Sequence, residues 1–177
     1  MCTMNLQSVL DALIEAYRGY YDIKTEQATA PFDAEGYFSN EAQQYFLVKA
    51  AKVASVNAYE HVFFAKRESL TTSELTGLDA SVWQELLSRV KPDGDHKNTD
   101  CTLIVVTESI SEEIRALVPK LSHSKNYRFG LWGFSNYRLV VIGADDLTVL
   151  TNRRGRDLTD FVKQHITNLL QKRGDET

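Results

Sequence analysis

Three arginines surround one glycine in TNRRGRDL, Thr151 to Leu158, within a 177-residue chain whose formal charge is −4. The stretch sits where the apolar run LTVL ends and an amphipathic pattern begins. A strand end, a glycine and a helix start are the ingredients of an anion site, because free N–H groups and the positive helix end face one point. Arg153, Arg154 and Arg156, joined by Arg128 and Arg138 from YRFGLWGFSNYR, make a candidate anion-accepting patch. Guanidinium groups suit carboxylate or phosphate through paired donors. The alternative is ordinary ion pairing with Asp145, Asp146, Asp157 or Asp160. A Walker loop is excluded, since NRRGRD holds one glycine and no Gly-Lys-Ser/Thr.

A second polar group interrupts apolar surroundings. Lys49 and Lys52 lie in QQYFLVKAAKVASV, and Glu60 lies in the following YEHVFF. A lysine in an apolar strand must snorkel, pair or lose its proton, so Glu60 pairs with Lys49 or Lys52 across neighbouring strands. His61 follows Glu60 and faces the other way. His61, His96, His123 and His165 show no metal-ligand spacing, and PDGDHKNTD lacks the later glutamate of a calcium loop. No Gly-x-Ser-x-Gly elbow is present. These observations point to no metal, no cofactor and no catalytic constellation.

The elements that must hold these residues follow from periodicity. Leu6, Val9, Leu10, Leu13, Ile14 and Tyr17 repeat at helical spacing. DIKTEQATAPFDAEG reads as a loop, and GYFSNE, QQYFLVKAAKVASV and YEHVFFAKR read as strands. A second helix takes Asp79 as its N-cap and stops before Pro92. CTLIVVT is apolar on both faces, as a central strand should be. Ser109 and Glu112 match a capping box for a third helix. Three short strands follow, turning at FSN and GADD, and a last helix starts near Asp157. The predicted order is α-β-β-β-α-β-α-β-β-β-α, one α/β or α+β domain over residues 1–177 with a mixed sheet, helices packed on it, and a disordered tail at 173–177.

YFLVKAAKVA, YEHVFF, SRVKPDGDH and TNRRG together resemble a small bacterial α/β family of unknown function, which implies no catalytic residue. The opening element order is also similar to restriction-endonuclease-like folds. Those folds carry an acid on the second strand and an acid-x-lysine pair on the third, around Mg²⁺. Glu60 is followed by HVFF, so that motif is absent.

The totals narrow the function classes. The hydrophobic fraction is 43% and the charged fraction 25%, ordinary for a globular chain. Residues 1–88 hold six bases against twelve acids, and residues 89–177 hold fourteen against twelve. A sequence pI near 5.6 argues against nucleic acid as the partner, although Tyr127, Phe129 and Leu131 alternate with Arg128, Gly130 and Trp132. Asp11, Glu15 and Arg18 break the N-terminal apolar pattern, which excludes a signal peptide, and no apolar run spans a bilayer. Cys2 and Cys101 make no disulfide framework, and Cys101 is expected buried and reduced, which fits the cytoplasm. The expected function is a binding module for a small anion. The alternatives are a divergent nuclease-like phosphodiester enzyme using Glu60 with Lys49 or Lys52, and a protein-interaction domain presenting Trp132 and Phe134.

Overall fold

CTLIVVT is buried along its whole length because it forms the body of a central strand. The computed structural model describes residues 5–40 and 57–174. In chain order these form α1 (Leu6–Arg18), β1 (Asp22–Lys24), β2 (Ala34–Ser39), β3 (Asn57–Arg67), α2 (Thr72–Arg89) and β4 (His96–Thr107). Then come α3 (Glu112–Leu117), β5 (Ser124–Asn126), β6 (Phe134–Gly143), β7 (Val149–Thr151) and α4 (Thr159–Gly174). Short 3-10 turns lie at Val118–Lys120, Arg128–Gly130 and Arg154–Leu158. The fold is mixed α/β with helices packed on the sheet, as predicted, although β1 was not among the predicted strands and one predicted strand falls outside the described residues.

The sheet runs β1-β2-β3-β4-β6, and β5 and β7 pair with successive stretches of the outer edge of β6. The β3–β4 and β4–β6 pairs are parallel, and the other pairs are antiparallel. Parallel neighbours need a crossover, which α2 and α3 provide. Side chains alternate between faces with period two. Val62, Phe64, Ile104, Val106, Val140 and Ile142 pack against α1 and α4. Phe63, Ala65, Leu103, Val105, Leu139 and Val141 pack against α2 and α3. Cys101 belongs to the second layer, fully buried, and burial pushes its thiol pKa up. Among the described residues no helix is long and apolar enough to cross a membrane.

Several predicted boundaries move. β1 forms inside the stretch read as a loop, where three residues are too few for periodicity to register; Ile23 pairs with Gly36. QQYFLVKAAKVASV, with Lys49 and Lys52, lies outside the described residues. Asp79 is no cap. Helix α2 starts earlier, with the Thr71 hydroxyl accepting from the Glu74 N–H and the Glu74 carboxylate accepting from the Thr71 N–H. The cap of α3 is Ser111, not Ser109. FSN is not a turn, because Gly130 and Gly133, both at positive φ, reverse the chain before it. Helix α4 extends through Gly174, further than the tail boundary predicted at 173; residues 175–177 lie outside the described residues.

Candidate functional site

TNRRGRDL does structural work at two of its positions. Strand β7 ends at Thr151, and the Asn152 side chain then extends its pairing with β6. Its Oδ1 accepts from the Leu139 N–H at 3.1 Å and the Gly155 N–H at 2.9 Å. Its Nδ2 donates to the Leu121 carbonyl at 3.0 Å and the Tyr137 carbonyl at 3.2 Å. All four capacities of the amide are met in a fully buried position. Gly155 is required by close approach, since a Cβ there would lie 2.7 Å from the Leu139 carbonyl oxygen. Arg153, Arg154 and Arg156 stand exposed, without an ion-pair partner among the described residues. Arg128 lies elsewhere, its guanidinium 4.5 Å from the centre of the Trp132 ring.

Arg138 is differently placed. It projects from β6 on the α1/α4 face amid three carboxylates: Asp157 at 3.4 Å, Asp100 at 3.5 Å and Glu60 at 3.8 Å. Asn136 donates to the second oxygen of Asp100 at 3.1 Å, and the Tyr21 hydroxyl donates to Glu60. The cross-strand neighbours of Glu60 are Phe38 and Asp100. Among the described residues the partners of Glu60 are Tyr21 and Arg138; the expected pairing with Lys49 or Lys52 lies outside the described residues. Among the described residues no group of three His, Cys, Asp or Glu side chains is placed to hold a metal ion.

A concave site lies on the opposite face. Helix α2 ends at Arg89, where Val90 turns extended ahead of Pro92, so the start of β3 and the β1–β2 edge continue past it. The odd-numbered positions become polar there, with Glu35, Tyr37, Tyr59, His61 and Thr99 around a cleft of about 710 Å³. Lys24 and Lys91 stand exposed at its margin, and Asp22 also lines it. The Tyr37 ring lies 4.9 Å from that of His61 and 6.4 Å from that of Tyr59, nearly parallel to the latter at 15°.

Arg89 organises this cleft. Its Nε donates to Glu85 at 2.8 Å, and one terminal nitrogen donates to Glu35 and to the Thr29 hydroxyl, each at 2.9 Å. Its other terminal nitrogen faces His61 Nδ1 at 3.4 Å, and the guanidinium lies 5.1 Å from the centre of the Phe63 ring. Burial alone would raise the Glu35 pKa. The hydrogen bonds from Arg89 and Thr29 outweigh it and hold the carboxyl below its ordinary value. Burial, then the charge of Arg89, pushes His61 down to about 4. A guanidinium only donates, so Nδ1 of His61 accepts and the ring proton sits on Nε2. That N–H has no protein partner among the described residues, and it belongs to a ring lining the cleft.

A pH dependence follows. Unfolded His61 binds a proton near pH 6.5 and folded His61 only near pH 4, so its contribution is full above pH 6.5 and is lost as pH falls toward 4. At about 1.4 kcal/mol per tenfold change, the loss approaches ~3 kcal/mol. Urea unfolding should show the wild type losing about that much more than His61→Gln between pH 7 and pH 4; parallel losses would refute a neutral buried His61.

His61 and Arg89 were missed as site residues in the sequence. The available signal was parity: counted by twos, His61 shares the buried face of Phe63. No curated protein and no solved structure matches the chain. The model of the family described as Domain of unknown function (DUF8052) matches residues 5–164, a span that holds every described residue of the cleft and of the Arg138 network, and the chain belongs to that family.

Proposed function

We propose that this protein is a binding module that takes a small planar anion in the cleft beside His61. The supporting observation is the His61 Nε2–H, fixed as a donor by Arg89 and lacking a protein acceptor among the described residues. An oxygen of a carboxylate or phosphate satisfies it. Lys24 and Lys91, exposed and without an ion pair among the described residues, add positive charge, and Tyr37 and Tyr59 offer ring faces to a planar group. Arg89 holds the site rather than the ligand, because its donors are engaged with Glu35, Glu85, Thr29 and His61. As part of the same reading the protein works in the cytoplasm, and the cleft binds without catalysis.

Benzoate and phenyl phosphate are suitable probes in titration calorimetry. Binding should weaken with salt, fall about tenfold in the Lys24→Ala/Lys91→Ala double variant, and be lost in His61→Phe. Anion binding indifferent to these changes but lost in Arg153→Ala/Arg154→Ala would move the site to the TNRRG turn and overturn the proposal.

One observation favours a second reading, a protein-interaction surface on the β5–β6 turn. Phe129 is fully exposed and Leu131 largely so. Arg128 and Phe129 also hold positive φ values of 47° and 57°, a conformation that costs about 1–2 kcal/mol per residue.

A further inference from the structure

Behind the cleft, on the α1/α4 face, a smaller cavity of about 130 Å³ is lined by Tyr17, Tyr20, Tyr21 and Phe161 together with Glu60 and Arg138. The Tyr17 ring lies 5.1 Å from Tyr21 at an interplanar angle of 58° and 5.3 Å from Phe161 at 85°, so the aromatic wall is built of rings set at an angle to one another. Glu60 and Arg138 line it, and Asp100 and Asp157 pair with the same arginine, so among the described residues the adjoining cluster sets three carboxylates against one guanidinium. None of those three pairings is closer than 3.4 Å. The Tyr17 side chain is buried, 4% exposed, and its hydroxyl has no hydrogen-bond partner among the described residues. Tyr17 lines the cavity together with Glu60 and Arg138. A buried hydroxyl left unpaired costs about 1–3 kcal/mol.

We propose that this cavity is a second binding site, for a small alkylammonium ion that carries at least one N–H. Ring faces attract a cation through their quadrupoles, the carboxylates set the sign of the charge, and the Tyr17 oxygen accepts the N–H. An anion is disfavoured by the net negative charge. A metal ion is disfavoured because the walls are rings, and no suitable ligand group exists among the described residues. At about 30 Å³ per water the volume corresponds to roughly four waters, the size of a methylated ammonium rather than of a larger ligand. The site lies on the other face of the sheet from the anion cleft and stands independently of it.

The test is an NMR titration with trimethylammonium chloride, tetramethylammonium chloride and sodium chloride, following the ring protons of Tyr17 and Phe161. Trimethylammonium should shift them saturably, tetramethylammonium more weakly, and sodium not at all. Tyr20→Ala, which changes an exposed ring, should weaken binding about threefold, and Glu60→Gln should weaken it more. Tyr17→Phe should fold normally and erase the preference for trimethylammonium over tetramethylammonium. No saturable shift, equal shifts with sodium, equal affinity for both ammonium ions in the wild type, or an unchanged affinity in Tyr20→Ala and Glu60→Gln would each overturn the proposal.

Discussion

Replacing Asn152 with alanine should cost about 4 kcal/mol, a loss large enough to need a named cause. The cause is the set of backbone groups the substitution orphans. The Leu139 and Gly155 N–H groups lose an acceptor, and the Leu121 and Tyr137 carbonyls lose a donor. The position is fully buried, so water cannot replace the amide without opening the edge of β6. Each stranded group costs about 1–3 kcal/mol, reduced where local relaxation finds a substitute. A domain of this size should melt roughly 8–16 °C earlier. Asn152→Asp should also destabilise, because a carboxylate keeps the acceptor half and loses both donors. Arg153→Ala and Arg154→Ala, a residue or two away but exposed, should each stay within about 0.5 kcal/mol of wild type. Urea unfolding of this series checks the contrast, and an Asn152→Ala loss below about 1 kcal/mol would refute the ladder role.

Arg89→Met should cost about 3 kcal/mol and change the chemistry of the cleft. Removing one partner of a buried pair strands the other, and here the stranded group is Glu35, whose side chain is 9% exposed. Arg89 is 24% exposed, which places the cost at the low end of the usual range for such pairs. Without Arg89 only the hydrogen bonds with Thr29 oppose the burial of Glu35, and its pKa should rise. The His61 pKa should rise as well, climbing from about 4 as the neighbouring positive charge disappears. Arg89→Lys should recover little, because an ammonium cannot reach Glu35, Glu85 and Thr29 together while facing His61. Chemical denaturation at pH 7 and histidine NMR titration check both halves.

Why the layers were legible and the cleft was not has a physical explanation. The helical stripe of α1 and the unbroken apolar run of β4 are local patterns, and each is read within a dozen residues. Helix α2 was placed by its stripe near Asp79, although its true cap, Thr71 with Glu74, is also a local signal. Asp79 instead lies buried within the helix, accepting from His123 Nε2 at 2.7 Å. β1 exists only because β2 offers it partners, so nothing in DIK announces a strand. The cleft draws Lys24, Glu35, His61 and Arg89 from four elements that the β2–β3 pairing and the α2 crossover bring together. In sequence Arg89 is an ordinary basic residue near a helix C-terminus. The arginines of TNRRGRDL were conspicuous because charge is easy to see in a string. Asn152 and Gly155, the residues between them that hold the turn, are conspicuous only once β6 lies alongside.

The proposed function rests on one proton, the Nε2–H of His61 held neutral and aimed at an acceptor from the ligand. A long-range ¹H–¹⁵N spectrum of the histidine rings, followed from pH 7.5 to 3.5 with and without benzoate, observes it directly. The account predicts a His61 ring that stays neutral, protonated on Nε2, until near pH 4, with benzoate shifting the Nε2 resonance and leaving Nδ1 on Arg89. A His61 that titrates near 6.5, carries its proton on Nδ1, or ignores benzoate while the anion binds elsewhere would contradict it.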